Sequence, residues 1–355
     1  MFDRNLKVDD IEVTLLWFDS MGAKCSSIFV QTPDIKLLVD PGAAGMQPSY
    51  PLPDDVKDKL RAIALERISS YAQQANVIFI SHYHYDHHTL PEKVSNLYDN
   101  KILYIKDPNR WINYSQWERA RLFLGQLLGD LEYIEPQQRE FNFPMPIKVQ
   151  RPDAEPRIRK RFLENVATWQ TNAWVKEPTH KRIYFADGRT VKFGDTVLRF
   201  TKPLFHGEEY TKTGWLIALV VEHRGTKLLY TSDLQGPVVE QYADWIIDEQ
   251  PDILIIDGPP TYLLGYVFAF RNMDRVITNM ERILGETTPE IIIYDHHPLR
   301  EPKYTERLAP VYEKAKRLSI PLLTAMEFFG MTPLIHKLEQ VDLLLQYATE
   351  VSQLG

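Results

Sequence analysis

The sequence contains a single cysteine, Cys25, so an internal disulfide framework is excluded. A chain with so little cysteine fits a reducing compartment. No apolar run approaches the roughly 18 residues that a membrane-spanning helix needs. The N-terminus also lacks the basic and apolar regions of a signal peptide. These absences argue against a secreted or membrane protein and predict a cytoplasmic location.

Several motifs of common enzymes are missing as well. The sequence has no Gly-rich phosphate loop, no Gly-x-Ser-x-Gly elbow, no Cys-x-x-Cys pair and no internal repeat. The net charge of −7 argues against nucleic-acid binding over the whole surface, although it leaves room for a local basic patch. At 355 residues and 44% hydrophobic, the chain is long enough to bury a large core.

The strongest positive feature is the pattern His-x-His-x-Asp-His, which begins at His82 after an apolar run at 77–80. That run predicts a buried strand. Residues two apart point the same way at a strand end, so His82 and His84 can converge on one metal ion. If the chain then turns, Asp86 and His87 lie beside them and can hold a second ion. The alternative is a solvated polar loop, but chance rarely produces this pattern in a chain with 10 histidines.

Other predicted strands also end in side chains that can bind a metal, namely Asp40, His206, Asp233 and the pair His296 and His297. Ligands at the ends of adjacent strands lie along one rim of a sheet, which is how distant positions form a single site. Asp40 precedes a Pro-Gly turn, and two roles are open for it: capping that turn, or fixing the backbone of the histidine loop. A lone histidine is usually structural, but the position of His206 before Gly207 makes it a candidate.

The periodicity of apolar residues predicts the remaining elements. Strands are expected at 11–18, 27–32, 36–39, 77–80, 190–192, 196–202, 215–223, 226–230, 252–256, 290–294 and 320–325. Helices are expected at 54–74, 110–130, 271–284, 304–318 and 334–348. The apolar stripe of the last helix favours a core or dimer contact over a membrane surface.

The stretch at about 88–190 differs in composition from the rest of the chain. It is rich in tryptophan and proline, including Pro144, Pro146, Pro152 and Pro156, and basic residues outnumber acidic ones over 148–182. Two interpretations are open: a solvated surface elaboration, or a lid that carries charge for an anionic group such as phosphate. We predict a single domain over 1–355, with this insertion and with C-terminal helices at about 304–352.

The ordered set of candidate residues resembles the five motifs of the metallo-β-lactamase fold superfamily, from about residue 11 to residue 300. The segments at 17–24, 40–44 and 295–300 look closest to an uncharacterised archaeal group of predicted metallohydrolases. The resemblance implies an α/β (α+β) fold, an αββα sandwich of two mixed β-sheets flanked by helices. It also implies a site with one or two metals at one edge of the sandwich.

The resemblance also implies a role for each candidate residue. The first ion would be bound by His82, His84 and His206. The second would be bound by Asp86, His87 and either His296 or His297, with Asp233 bridging both ions. We favour His296 because it comes sooner after its strand. Asp40 would support the motif loop from behind the ligands.

This site chemistry predicts a metal-dependent hydrolase that uses a metal-bridging hydroxide on a small ester, lactone or phosphoester. Its cofactors would be two divalent metal ions, with zinc favoured and iron or manganese as alternatives. Asp86 and Asp233 are the candidate catalytic carboxylates. The expected partner is a small-molecule substrate, no membrane is expected, and a homo-oligomer is left open.

Two other functions are compatible with the resemblance. A nucleic-acid phosphodiesterase is favoured by the basic, aromatic stretch at 148–182. It is disfavoured by the acidic net charge, and by the short interval between Asp233 and His296, where nuclease branches insert a large domain. A non-catalytic or redox di-metal protein is the other alternative, although redox members normally work with a flavin domain that this sequence lacks.

Overall fold

A computed structural model describes residues 2, 4–136 and 155–352 of the chain. Pro144, Pro146, Pro152 and part of the basic stretch predicted over 148–182 lie outside the described residues. The strands are β1 (Leu6–Val8), β2 (Ile11–Phe18), β3 (Ser26–Gln31), β4 (Lys36–Val39), β5 (Val77–Ile80), β6 (Ile102–Ile105), β7 (Tyr133–Ile134), β8 (Trp174–Val175), β9 (Ile183–Phe185), β10 (Thr190–Phe193), β11 (Thr196–Phe200), β12 (Leu204–Phe205), β13 (Trp215–Leu216), β14 (Leu219–His223), β15 (Thr226–Tyr230), β16 (Ile253–Asp257), β17 (Ile291–Asp295) and β18 (Leu322–Leu323). The α-helices are α1 (Asp54–Ala72), α2 (Tyr114–Leu128), α3 (Glu155–Thr171), α4 (Glu240–Glu249), α5 (Phe270–Glu286), α6 (Tyr304–Arg307), α7 (Ala309–Leu318), α8 (Ala325–Phe328) and α9 (Val341–Ser352).

Two large sheets form the centre of the molecule. The first has the strand order β1-β2-β3-β4-β5-β6-β9, and the second has the order β10-β11-β14-β15-β16-β17-β18. Both sheets are mixed. In the first sheet, β1 to β4 pair antiparallel, and β4, β5, β6 and β9 pair parallel. In the second sheet, β10, β11, β14 and β15 pair antiparallel, and β15 to β18 pair parallel.

The alternation of side chains along each strand explains how the sheets pack. In β15, Leu228 and Tyr230 lie in the core between the two sheets, while Leu229 lies in the core on the outer face. In β5, Phe79 faces the other sheet and Ile78 faces outward. Strands that are apolar on both faces must be covered on both faces. The fold is therefore the predicted αββα sandwich.

Helices cover the two outer faces. On the first sheet, α1 contributes Leu60, Ala64 and Ile68 to the outer core. On the second sheet, α4, α5 and α7 bury side chains such as Val276 and Val311. Among the described residues, no helix is long and apolar enough to cross a membrane.

The stretch predicted as an insertion contributes to the first sheet. Its strands β6 and β9 pair parallel and form the edge beyond β5. Its helix α3 packs Phe162 and Trp169 against Trp111 and Trp215, with the Trp169 and Trp215 ring centres 5.4 Å apart. The domain boundary and the function of this stretch remain predictions.

Three predicted elements are interrupted. The helix predicted over 304–318 is divided at Leu308 (φ −103°, ψ 11°) into α6 and α7. The strand predicted over 215–223 is divided into β13 and β14, because the amide of Ile217 donates to the carbonyl of Ser81, the residue that follows β5 (3.1 Å). The helix predicted over 334–348 begins only at Val341, and 3₁₀ turns at 334–336 and 338–340 precede it. Lys337 separates these turns with an extended φ of −145°, which no α-helix accommodates.

Candidate metal centre

The predicted site residues meet at one edge of the sandwich. Asp40 follows β4, and the His-x-His-x-Asp-His motif follows β5, the parallel neighbour of β4. In the other sheet, Asp233 lies just beyond β15, and His296 and His297 lie directly beyond β17. Because parallel strands end at the same edge of a sheet, these positions come together despite their distance in sequence.

A first cluster consists of His82, His84, His206 and Asp233, whose ligand atoms all lie within 4.8 Å of one another. Nε2 of His206 is 3.1 Å from Oδ2 of Asp233. Nε2 of His82 is 3.7 Å from the same oxygen and 3.1 Å from Nδ1 of His84. The arrangement offers three imidazole nitrogens and one carboxylate oxygen to a single ion.

A second cluster consists of Asp86, His87 and His296, again within 4.8 Å. Nε2 of His87 is 3.0 Å from Oδ1 of Asp233, and Nε2 of His296 is 3.3 Å from the same oxygen. Nε2 of His296 also lies 3.7 Å from Oδ2 of Asp86. Asp233 therefore directs one carboxylate oxygen to each cluster, which is the geometry of a bridging ligand.

His296 and His297 occupy different positions. His296 belongs to the cluster with Asp86 and His87. His297 lies next to Asp233, and its Nδ1 is 2.8 Å from Oδ2 and 2.9 Å from Oδ1 of Asp257. The structure thus brings both residues to the centre, but only His296 completes the second cluster.

Three histidines of the centre are oriented from behind, on the side away from the cluster. Nδ1 of His87 donates to Asp40 (2.8 Å), and Nδ1 of His296 donates to Asp19 (2.7 Å). Nδ1 of His82 lies 2.9 Å from the hydroxyl of Ser81, which itself donates to Asp40. A histidine that donates through Nδ1 presents the lone pair of Nε2, which is the form that binds a metal.

Asp40 is the most connected of these supports. Its two oxygens accept from the Ser81 amide (2.7 Å), the Ser81 hydroxyl (2.6 Å), the Tyr230 hydroxyl (2.7 Å) and Nδ1 of His87. The next turn is tight, since a Cβ at Gly42 would lie 2.2 Å from the amide nitrogen of His88. Of the two roles open for Asp40 in the sequence, the contacts favour fixing the histidine loop.

Exchanging Asp40 for asparagine should weaken metal binding about 10- to 100-fold, the usual effect of losing a carboxylate behind a metal-binding histidine. The amide cannot accept from all four donors, so His87 loses its fixed orientation. Tyr230→Phe removes only one of those donors and should weaken metal binding much less. Metal affinity by competition with a chelator measures both; equal affinities for Asp40→Asn and the unaltered protein would contradict this role.

Three supporting residues were not identified from the sequence, namely Asp19, Asp257 and Arg300. Arg300 is buried and donates through Nε to Asp19 (2.6 Å), while its Nη2 lies 3.5 Å from Asp86. Asp257 is the last residue of β16, and Asp19 directly follows β2, so both repeat the pattern of a carboxylate at a strand end. That pattern was the available signal, since it had already identified Asp40.

The residues present fit metal ions. Nε2 of His87, Nε2 of His206 and Oδ1 of Asp233 are buried, and none of them has a hydrogen bond to any described residue. The 3.0 Å approach of His87 to Asp233 lacks the alignment of a hydrogen bond. Buried polar atoms normally have partners, so three unsatisfied atoms converging on one place indicate ligands for a bound cation.

The electrostatics of the two clusters differ. Burial, together with the neighbouring histidines, lowers the pKa of His82 and lowers that of His84 to about 3, so both are neutral. Burial also acts to lower the pKa of His87, but the carboxylates of Asp233 and Asp40 outweigh it and raise the value to about 10. Without metal, a charged imidazole at His87 therefore balances the negative charge of Asp233. A bound cation would balance that charge instead.

Comparison with known proteins agrees with this architecture. The family model described as "Metallo-beta-lactamase superfamily" matches residues 22–273, which is more than half of the chain. The chain belongs to the metallo-β-lactamase superfamily. The matched range contains the His-x-His-x-Asp-His motif, His206 and Asp233, and it ends before His296.

Relatives of this superfamily member extend over its full length. It is 32% identical to the UPF0282 protein of Methanocaldococcus jannaschii, over 97% of each chain. It is also 32% identical to the UPF0282 protein of Methanopyrus kandleri, over 87% of this chain and 92% of that one. The predicted likeness to an archaeal group is therefore confirmed.

Solved structures with a similar arrangement are more distant. CmlA, a diiron β-hydroxylase from Streptomyces venezuelae, has a TM-score of 0.42 at 9% identity, over 90% of this chain and 53% of that one. Human tRNase Z, short form, has a TM-score of 0.39 at 13% identity, over 80% of this chain and 92% of that one.

Proposed function

We propose that this metallo-β-lactamase superfamily member is a metal-dependent hydrolase of a small ester, lactone or phosphoester. The observation that supports the proposal most directly is Asp233, which is buried and directs its two oxygens to two separate histidine clusters. Imidazole with carboxylate suits zinc, iron and manganese better than magnesium or calcium, and we take zinc as the first choice.

The ions would be held by His82, His84 and His206 on one side and by Asp86, His87 and His296 on the other, with Asp233 between them. Two such cations supply an acidified water and a polarised scissile bond. The protein's own contribution is orientation: Asp40 and Asp19 fix the Nε2 atoms of His87 and His296, and Arg300 spans Asp19 and Asp86. Preorganised ligands of this kind need no rearrangement during the reaction.

His297 has a separate role in this proposal. Asp257 engages its Nδ1, so Nε2 is the atom that remains to contact a substrate bound beside Asp233. The amide of His297 also donates to Asp257 (3.2 Å), which fixes the backbone and the ring together. We therefore assign His297 to orienting the substrate.

The deciding experiment combines elemental analysis of the purified protein with turnover of p-nitrophenyl phosphate, bis-p-nitrophenyl phosphate, lactones and thioesters. We expect about two ions per chain, activity that a chelator abolishes, and activity that added zinc restores. Absence of metal, or two bound ions without turnover of any substrate class, would contradict the proposal. Iron as the only metal would favour a redox protein instead.

If the protein were a nucleic-acid phosphodiesterase, a different result would be expected. Each neutralised phosphate adds close to one to the slope of log affinity against log salt concentration, so RNA or DNA binding would weaken steeply with salt. We expect weak binding to both nucleic acids at low salt. Tight, salt-sensitive binding together with diester turnover would replace the small-molecule proposal by this one.

A further inference from the structure

An uncharged segment borders the candidate metal centre. Residues 258–270 contain no lysine, arginine, aspartate, glutamate or histidine. Within this segment, Tyr266 is 90% exposed, Val267 64% and Phe270 65%. We call these three side chains the apolar rim. A contiguous patch of exposed apolar side chains often marks a binding surface.

The apolar rim is held in a defined conformation. The amides of Tyr266 and Val267 both donate to the carbonyl of Leu263, at 3.1 and 3.0 Å, and the amide of Gly265 donates to Phe268 (2.8 Å). Gly265 adopts a φ of +83°, a backbone conformation that glycine takes without strain. Phe268 is buried in the outer core of the second sheet. The exposure of the rim is therefore built into an anchored turn.

Both ends of the segment touch the parts of the chain that form the centre. At one end, the Tyr262 hydroxyl accepts from Nη1 of Arg300 (3.3 Å), whose Nη2 lies 3.5 Å from Asp86. Directly after the other end, Arg271 and Asn272 both contact Glu208, two residues beyond His206. The segment thus runs alongside the centre, from the Asp86 side to the His206 side.

We propose that the apolar rim binds the apolar acyl or aryl part of the substrate while the ester or phosphoester group lies at the metal centre. This inference rests on the proposed function, and it narrows the substrate to one with an extended apolar group. The position of the rim supports a substrate as the occupant, because its segment contacts Arg300 through Tyr262 and adjoins Arg271, which pairs with Glu208 close to His206.

Two other occupants fit less well. The rim offers on the order of 400 Å² of surface, estimated from the usual area of large apolar side chains. A stable dimer needs about 800 Å² from each partner. An anionic membrane surface would have to attract a chain of net charge −7 through a segment that carries no basic residue. A second copy or a membrane is therefore disfavoured.

The test is the affinity of zinc-loaded protein for alkyl phosphates of increasing length, from ethyl to octyl, measured by calorimetry. We expect affinity to rise about twofold per methylene, roughly half of the full burial effect because one side of the alkyl chain stays in water. Over the series this amounts to about 60-fold. The double variant Tyr266→Ser/Phe270→Ser should lose most of that rise while binding ethyl phosphate unchanged.

The matched control is Leu122→Ser/Leu318→Ser, which removes two apolar side chains of 45% and 46% exposure on α2 and α7. It should retain the full dependence on chain length. Equal affinity for ethyl and octyl phosphate in the unaltered protein would overturn the proposal, as would an unchanged series in the rim variant. So would a dimer, or binding to phosphatidylcholine vesicles, that the rim variant abolishes.

Failure of the proposed function would look different. Metal content and turnover of short esters are measured on the same preparations, and neither depends on the apolar rim. A chain-length effect without any turnover would remove the hydrolase proposal and leave the rim as a binding surface. Turnover without a chain-length effect would support the hydrolase proposal and overturn the role of the apolar rim.

Discussion

Asp233→Asn is expected to reduce the bound metal to well below one ion per chain and to lower hydrolytic activity by on the order of 1,000-fold or more. Its carboxylate is the group shared by both clusters, with Oδ2 3.1 Å from His206 and Oδ1 3.0 Å from His87. Asparagine keeps the size and shape of the side chain but replaces one ligand oxygen with an amide group and removes the negative charge. Two cations at neighbouring positions repel each other. Losing the negative charge between them therefore weakens the binding of both ions.

The fold should survive this exchange, because the two side chains have nearly the same volume and the supporting carboxylates Asp40 and Asp19 remain. Elemental analysis, activity and circular dichroism on the same sample separate loss of metal from unfolding. Asp195→Asn is the matched control: it lies in the exposed turn between β10 and β11, paired with Arg224. Two ions retained in Asp233→Asn would show that this carboxylate does not bridge, and the ligand assignment would fail.

The second large effect is a difference between alanine variants of the two consecutive histidines. His296→Ala should lose the ion of the second cluster, retain close to one ion per chain and lower activity at least about 100-fold. His297→Ala should retain both ions and still lose activity. The reason is geometric: Nε2 of His296 lies 3.3 Å from Asp233 and 3.7 Å from Asp86, whereas Nδ1 of His297 is engaged by Asp257.

Metal stoichiometry by elemental analysis decides between the two positions. The opposite result, with two ions in His296→Ala and one in His297→Ala, would move the last ligand to His297. Asp19→Asn offers a graded control, since it leaves His296 in place but removes the negative charge of the group that accepts from its Nδ1 (2.7 Å). We expect about 10- to 100-fold weaker binding of the second ion in that variant.

Much of the fold could be read from local pattern. The αββα sandwich itself was predicted through the family resemblance. The apolar runs of β5, β15 and β17 identified strands whose positions agree with the structure to within a residue or two. The pattern failed where the backbone leaves the regular element. The bond from Ile217 to Ser81 divides the strand predicted over 215–223, and the extended Lys337 delays the last helix to Val341.

The candidate ligands were also accessible from the sequence alone, because metal chemistry restricts them to a few residue types and strand geometry restricts them to strand ends. His82 and His84 could be paired since residues two apart point the same way. Asp40, His206 and Asp233 were identified by the same rule, as strand-end side chains able to bind metal, although their grouping into two clusters came from the family resemblance and the structure.

The tertiary structure alone decided how these residues are supported and which histidine completes the second cluster. The contacts of Asp19 with His296 and Arg300 join residues 277 and 281 positions apart. His296 adopts a left-handed φ of +75°, which turns two adjacent histidines to different partners. Sequence spacing determines which side chains can reach the edge of a sheet, but the packing of one sheet on the other determines which of them meet.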